Sequence, residues 1–125
     1  MFTTSTVFKE NLEQFPAIDA LAKIEFIQDG KIVGQLLNID GQKGSMALYF
    51  YLFKTMGILD SAAAKRGLEL FAEHTADAKA NPGKHPNIDR LLVIEANNDP
   101  MEMKVTYQAG MQPASGWDDE DDSEK

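Results

Sequence analysis

The sequence predicts an α+β fold, in which a small antiparallel sheet of about three strands has helices packed on one face. Near both ends of residues 1–109, apolar and polar side chains alternate with the two-residue period of strands. Between these segments, apolar residues recur with the three- to four-residue spacing of helices. A chain of 125 residues has the length of one domain, which we expect to occupy residues 1–109.

Three segments are predicted to form the sheet. Residues 22–28 alternate, and Asp29-Gly30 follows them as a tight hairpin turn, because glycine tolerates the positive φ that such turns require. Residues 31–39, rich in Ile, Val and Leu, form the returning strand. Residues 101–107 alternate again and predict a half-buried third strand.

The first predicted helix covers residues 7–15 and ends at Pro16. Ser5 or Thr6 is expected to cap it, since a hydroxyl at this position accepts a bond from a free amide of the first turn. One face of this helix is apolar and carries Phe8, Leu12 and Phe15.

Residues 46–56 predict a second helix that is apolar nearly all round. Such a helix is central in the core or meets a partner, so a homodimer remains an alternative to a monomer. Ser45 is expected to cap it, and Gly57 to end it. The preceding loop, 38–45, lacks the residue order of a phosphate loop, and we interpret it as a turn, although helix N-termini attract anions.

The longest helix is predicted to begin at Asp60 or Ser61 and to run to about Ala80, where Asn81-Pro82-Gly83 stops it. Its buried stripe is expected to hold Ala64, Leu68, Phe71, Thr75 and Ala78. A short helix over residues 88–95, capped by Asn87, follows. A strand over residues 91–94 is the alternative, because periodicity alone does not separate the two.

The net charge of −8 is unevenly spread. Residues 117–125 hold six carboxylates and one lysine, which leaves the rest of the chain mildly acidic. We predict a disordered acidic tail over residues 110–125 that increases solubility or docks on a basic partner. Nucleic acid is not an expected partner, because an acidic surface repels phosphate.

The cellular location is predicted to be the cytoplasm, since a chain without cysteine fits a reducing compartment, where disulfides are rare. No apolar run is long enough to span a membrane. The first ten residues also lack the basic and apolar regions of a signal peptide.

The candidate site lies on both sides of the Pro82-Gly83 corner and includes both histidines of the chain. Residues three or four apart meet on a helix, so the side chains before the corner can converge with those after it if the corner folds back. The predicted site residues are Glu73, His74, Asp77, His85, Asn87 and Asp89.

Several functions fit these residues, and the sequence does not choose between binding and catalysis. We predict a binding module that takes a small anion or a protein partner and has no organic cofactor. The alternative is an enzyme that uses His74, Asp77, His85 and Asp89 either as ligands of a divalent metal or for acid–base chemistry. In the structural interpretation, His85 bonds to the loop and Asp89 sits in the first turn of the next helix.

The segments GQKGSMALYFYLFK and AEHTADAKANPGKHPNIDRLL resemble a small bacterial family known as a domain of unknown function. The resemblance implies no activity. The order of Asn38, Gly41, Gly44-Ser45, His85 and Asn87-Ile88 is also similar to HopJ-type proteins, which are named as type III effectors. Met46 stands where that family has a cysteine, and Asp89 where it has a basic residue. This second resemblance implies an effector or immunity-type protein that binds a basic macromolecule.

Overall fold

The computed structural model describes residues 2–109. The predicted acidic tail, residues 110–125, therefore lies outside the described residues. None of the helices in the described part of the chain is both long enough and apolar enough to cross a membrane. In chain order the elements are α1 (Phe8–Leu12), β1 (Leu21–Gln28), β2 (Lys31–Leu37), α2 (Lys43–Met56), α3 (Ser61–Phe71), α4 (Glu73–Ala80), α5 (Pro86–Asn97) and β3 (Glu102–Tyr107).

The three strands form one antiparallel sheet in the order β2-β1-β3, and the predicted α+β fold is confirmed. Asp29 and Gly30 both have positive φ, at 54° and 79°, as a two-residue primed turn requires. On the central strand, Ile24 pairs with Leu36 on one side and with Val105 on the other. The buried face of the sheet therefore combines apolar residues from all three strands.

The central position predicted for the second helix is confirmed by α2. Six of the seven residues from Met46 to Leu52 are buried, and Tyr49 among them is fully buried. Gly57 follows the helix with a φ of 81°, as predicted for its end. Of the aromatic residues, Tyr51 and Phe53 are only partly buried and pack against the edge of the core.

The longest helix was predicted wrongly as one element, because the chain breaks it into α3 and α4 at Ala72. Ala72 has φ 56° and ψ −120°. In a continuous helix the carbonyls of Leu68 and Leu70 would accept backbone amides. Instead, Thr75 Oγ1 donates to the Leu68 carbonyl at 2.7 Å and Asn11 Nδ2 donates to the Leu70 carbonyl at 3.0 Å. The predicted start is correct, since Asp60 accepts from the amide of Ala63.

Three predicted caps are wrong. The N-cap of α1 is Val7, while the Ser5 hydroxyl accepts from the Val7 amide outside the helix. Helix α2 begins at Lys43, so Ser45 lies within its first turn. Residues 91–94 are helical, but α5 begins at Pro86 rather than Ile88, because proline suits the first helical position. Asn87 therefore lies inside α5 and does not cap it.

Candidate functional site

A cleft of about 560 Å³ opens between the start of α2 and the corner that joins α4 to α5. The loop before α2 contributes Gly41 and Gln42, and the first turn of α2 contributes Gly44 and Ser45. The opposite wall comes from the corner and the first turns of α5. The residues there are Lys84, His85, Pro86, Asn87, Ile88 and Arg90. His74, Phe8 and Phe71 close a third side, so His74, His85 and Asn87 are the three of the six predicted site residues that line this cleft.

Asp77 is the hydrogen-bonding centre of the corner. Its Oδ2 lies 2.6 Å from His85 Nε2 and 3.0 Å from Lys84 Nζ. The hydrogen bond from His85, followed by that from Lys84, lowers the pKa of Asp77 from 3.8 to about 2. Asp77 is therefore a carboxylate at neutral pH, and it holds the His85 ring and the Lys84 ammonium at the mouth of the cleft.

His74 faces the same cleft from α4. Its ring meets Phe8 edge-on, with centroids 5.3 Å apart, and its centroid lies 6.0 Å from that of His85. Among residues 2–109, none is hydrogen-bonded to the His74 ring. The two imidazoles thus line the cleft together.

Glu73 and Asp89 do not join the two histidines. Glu73 Oε1 accepts from the Phe8 amide at 2.7 Å, which satisfies a free donor at the start of α1 and lowers the pKa of Glu73. Asp89 Oδ2 accepts from the Gly83 amide at 3.0 Å and lies in the first turn of α5. Both carboxylates therefore hold segments that surround the cleft.

No metal-ligand set is formed by these side chains. Within the described residues there is no group of three or more His, Asp and Glu side chains placed to hold a metal ion. The reason is visible in the contacts: Asp77 is shared by His85 and Lys84, and Asp89 is bonded to the backbone of the corner. A divalent metal at His74, Asp77, His85 and Asp89 stays a prediction without a geometric basis.

Arg90 is the most firmly held cation of the cleft. Its guanidinium carbon lies 4.0 Å from the centroid of the Phe26 ring. Its Nη1 donates to Asn87 Oδ1 at 3.1 Å and to the hydroxyl of Tyr49 at 3.3 Å. Burial raises the pKa of Tyr49 to about 12, so Tyr49 is neutral and donates to the Asn87 carbonyl. These contacts fix the plane of the guanidinium before any ligand arrives.

The charge of the cleft is opposite to that of the chain. Of the described residues that line it, those with ionisable basic or imidazole groups are His74, Lys84, His85 and Arg90, and none is Asp or Glu. The chain as a whole has 20 acidic against 12 basic residues. Helix α2 also has no side-chain cap among the described residues, and Gly44 and Ser45 of its first turn line the cleft. The cleft is therefore a cationic, donor-rich region of an acidic protein.

A family model described as an uncharacterized protein conserved in bacteria, DUF2322, matches residues 8–105. The chain belongs to the DUF2322 family. The match extends from α1 into β3 and includes every residue of the cleft. The predicted resemblance to a bacterial domain of unknown function is thereby confirmed, while the likeness to HopJ-type proteins stays a prediction. No curated protein and no solved structure matches the chain.

Arg90 of this DUF2322 protein was not predicted as a site residue from the sequence. Its position depends on Phe26 in β1 and Tyr49 in α2, which are distant in the chain. One signal was present in Gly34, a glycine within a strand, which often marks a close approach. A Cβ on Gly34 would lie 3.3 Å from Arg90 Nη2. Lys84 was also missed, although it adjoins His85 in the sequence.

Proposed function

We propose that this DUF2322 protein is a binding module for a small anionic ligand, which it takes in the cleft between α2 and the α4–α5 corner. One observation carries the proposal: four cationic or imidazole side chains line this cleft in a chain of net charge −8, and the one carboxylate beside them, Asp77, lies outside the lining and is shared by Lys84 and His85. An anion is attracted to such a region by charge, and the low dielectric of a cleft strengthens that attraction.

The ligand class follows from the donors. Arg90 presents a planar guanidinium whose Nη1 is held by Asn87 and Tyr49, which leaves donors of the fork for an oxygen anion. The first-turn amides of Gly44 and Ser45 add backbone donors at a helix N-terminus. Phosphate and carboxylate groups, with several acceptor oxygens, match this combination of a guanidinium, an ammonium and backbone amides.

Titration of the full chain with inorganic phosphate at low ionic strength tests the proposal. We expect the amide signals of Gly44 and Ser45 in nitrogen–proton spectra to shift with saturation, together with the side-chain signal of Arg90. Lys84→Gln should raise the Kd for phosphate about 3- to 10-fold, as expected for one charge-assisted contact. Lys79→Gln is the matched control, since Lys79 lies on α4 but does not line the cleft.

Two results would contradict anion binding at this cleft. One is the absence of saturable shifts at Gly44 and Ser45. The other is an equal loss of affinity in the Lys84 and Lys79 variants, which would mean that phosphate responds only to the net charge of the surface.

A second candidate function is acid–base catalysis, favoured by the 2.6 Å contact between His85 Nε2 and Asp77 Oδ2. A carboxylate that orients an imidazole in this way is a common arrangement for a general base. The Ser45 hydroxyl lines the same cleft. Screening of small phosphate and carboxylate esters for hydrolysis tests this alternative. Catalysis through this pair requires that turnover be lost in His85→Gln and retained in the Lys79→Gln control.

A further inference from the structure

We infer that residues 117–125 of this chain, here called the acidic segment, bind in the cleft and compete there with the anionic ligand. The inference rests on the proposed function, because it gives the same cleft a second occupant. The acidic segment is Trp117 followed by six carboxylates and Lys125. Three features of the described residues support it: where β3 ends, how far the following chain extends, and which side chains line the cleft.

Strand β3 ends beside the loop that leads to the cleft. The Leu21 carbonyl accepts from Asn38 Nδ2 at 2.8 Å and from Gln108 Nε2 at 3.0 Å. Asn38 begins the loop between β2 and α2, and Gln108 is the residue after β3. The Leu21 carbonyl therefore connects Gln108, after which the chain continues toward residue 110, to Asn38. The loop that begins at Asn38 ends at Gln42, which lines the cleft.

The distance from this point to the cleft is within the reach of the chain. In a sheet with the order β2-β1-β3, the ends of β3 and β2 are about 10 Å apart, which is two strand spacings. The eight residues from 109 to 117 extend at most about 26–29 Å. The cleft begins next to the end of β2, because Gln42, which lines it, accepts from the Leu37 amide at 2.9 Å. The length of the chain between residues 109 and 117 therefore exceeds the span that the inference requires.

The cleft matches the acidic segment in two kinds of chemistry. Its apolar side is formed by Phe8 and Phe71, whose rings stack at 15° with centroids 5.5 Å apart. Its polar side holds the cations Lys84 and Arg90. An aromatic side chain followed directly by carboxylates presents the same order of apolar and anionic groups. We expect Trp117 to contact the half-buried ring of Phe8, which covers the buried Phe71, and the carboxylates to bind Lys84, His85 and Arg90.

Each contact of the acidic segment with the cleft would be weak. The segment nevertheless stays close to the cleft, because it is tethered to β3. A short linker gives a tethered group an effective concentration in the millimolar range. A competing anion must therefore displace the segment, and its apparent affinity falls by the fraction of chains in which the cleft is already occupied. The expected consequence is a cleft that is selective for anions able to outcompete several carboxylates at once.

Fluorescence of Trp117 provides a direct test, because it is the single tryptophan of the chain. In the full chain at constant ionic strength, added inorganic phosphate should shift the Trp117 emission to the red and lower its anisotropy as the segment leaves the cleft. Sodium chloride at high concentration should do the same, since it screens exposed ion pairs. A Trp117 signal that phosphate does not change would overturn the inference.

The matched variant keeps the full length and replaces the six carboxylates by amides, as D118N, D119N, E120Q, D121N, D122N and E124Q. We expect it to bind phosphate severalfold more tightly and to show no Trp117 response. Docking would be overturned if the variant bound phosphate more tightly while Trp117 fluorescence in the native chain did not respond to phosphate. The tighter binding would then be due to the change in net charge alone. A response that depends on protein concentration would overturn docking within one chain.

The same titrations separate the two proposals. If phosphate shifts the amide signals of Gly44 and Ser45 equally in both chains and changes Trp117 fluorescence in neither, anion binding stands and the inference fails. If phosphate shifts neither residue in either chain, the proposed function fails and the inference fails with it.

Discussion

Asp77 and His85 face each other across the Asn81-Pro82-Gly83 turn, with Asp77 Oδ2 2.6 Å from His85 Nε2. His85 is also the N-cap residue of α5, so this contact connects the last turns of α4 to the first turn of α5. Lys84 binds the same carboxylate oxygen at 3.0 Å. A single acidic side chain thereby determines the direction of two cleft residues, and its removal should affect the corner as well as the cleft.

Asp77→Asn should change how stability depends on acidity. Because the folded chain lowers the pKa of Asp77 to about 2, its contribution is fully present above the ordinary value of 3.8 and is lost as pH falls through about 2. We expect the native chain to lose stability more steeply than Asp77→Asn between about pH 4 and pH 2. Denaturant unfolding at a series of pH values measures this difference.

The control for this prediction is Asp40→Asn. Asp40 is exposed in the loop before α2, and no hydrogen bond or ion pair joins it to the described side chains. Its substitution should leave the acid limb of the profile unchanged. Parallel profiles for the native chain and Asp77→Asn would mean that the Asp77–His85 contact does not form in solution.

Ala72→Gly should stabilise the protein by about 1 kcal/mol. Ala72 has φ 56° and ψ −120°, which an L residue with a Cβ adopts only with strain of about 1–3 kcal/mol, whereas glycine adopts it freely. The gain is reduced by the larger entropy of glycine in the unfolded chain. Urea unfolding measures the change. In the control, Ala76→Gly within α4, we expect a loss of about 0.5–1 kcal/mol, and equal losses in both would argue against a strained Ala72.

The elements that the sequence predicted correctly depend on local chemistry. The Asp29-Gly30 turn and the end of α2 at Gly57 each follow from a glycine that is free to take positive φ. The break at Ala72 was not predictable in this way. It depends on Asn11, whose side chain donates to the Leu70 carbonyl 59 residues away in the chain. The spacing of apolar residues within the helix does not indicate this hydrogen bond from a distant side chain.

In the candidate site, too, the contacts within one local segment were predicted and those between distant elements were not. Asp77 and His85 were predicted to meet because the Pro-Gly corner is short and folds the chain back. Arg90 was missed because it is held by Phe26 and Tyr49 from other elements. The positive charge of the cleft lining was not predicted either, since it depends on whether the Glu73 and Asp89 side chains point into the cleft. Only the fold shows that both carboxylates bond to backbone amides outside the cleft.

Gly67→Ala should destabilise the protein by about 1 kcal/mol. A Cβ at Gly67 would lie 2.7 Å from Leu91 Cδ1 and 3.1 Å from Leu52 Cδ1, where α3 meets α5 and α2. Overpacking costs about 1–3 kcal/mol, and the higher helix propensity of alanine offsets up to about 1 kcal/mol of it. A double-mutant cycle with Leu91→Ala provides the control. With the Leu91 methyl groups absent, Gly67→Ala should become stabilising, and an unchanged effect would place the clash elsewhere.

Gly34→Ala should weaken phosphate binding while leaving the fold intact. The added Cβ would lie 3.3 Å from Arg90 Nη2, so the guanidinium must move by a few tenths of an ångström from its place over Phe26. Gly34 does not require positive φ, and alanine is compatible with the strand, so we expect a stability change within about 1 kcal/mol.

Arg90→Lys separates the geometry of this contact from its charge. Lysine keeps the positive charge but lacks the planar fork that Phe26, Tyr49 and Asn87 hold in position. If the fork binds the anion, both variants should raise the Kd for phosphate about 3- to 10-fold at equal ionic strength. Native affinity in Arg90→Lys would show that Arg90 acts by charge alone. Native affinity in both would remove Arg90 from the binding site and leave Lys84 and the first turn of α2 as its donors.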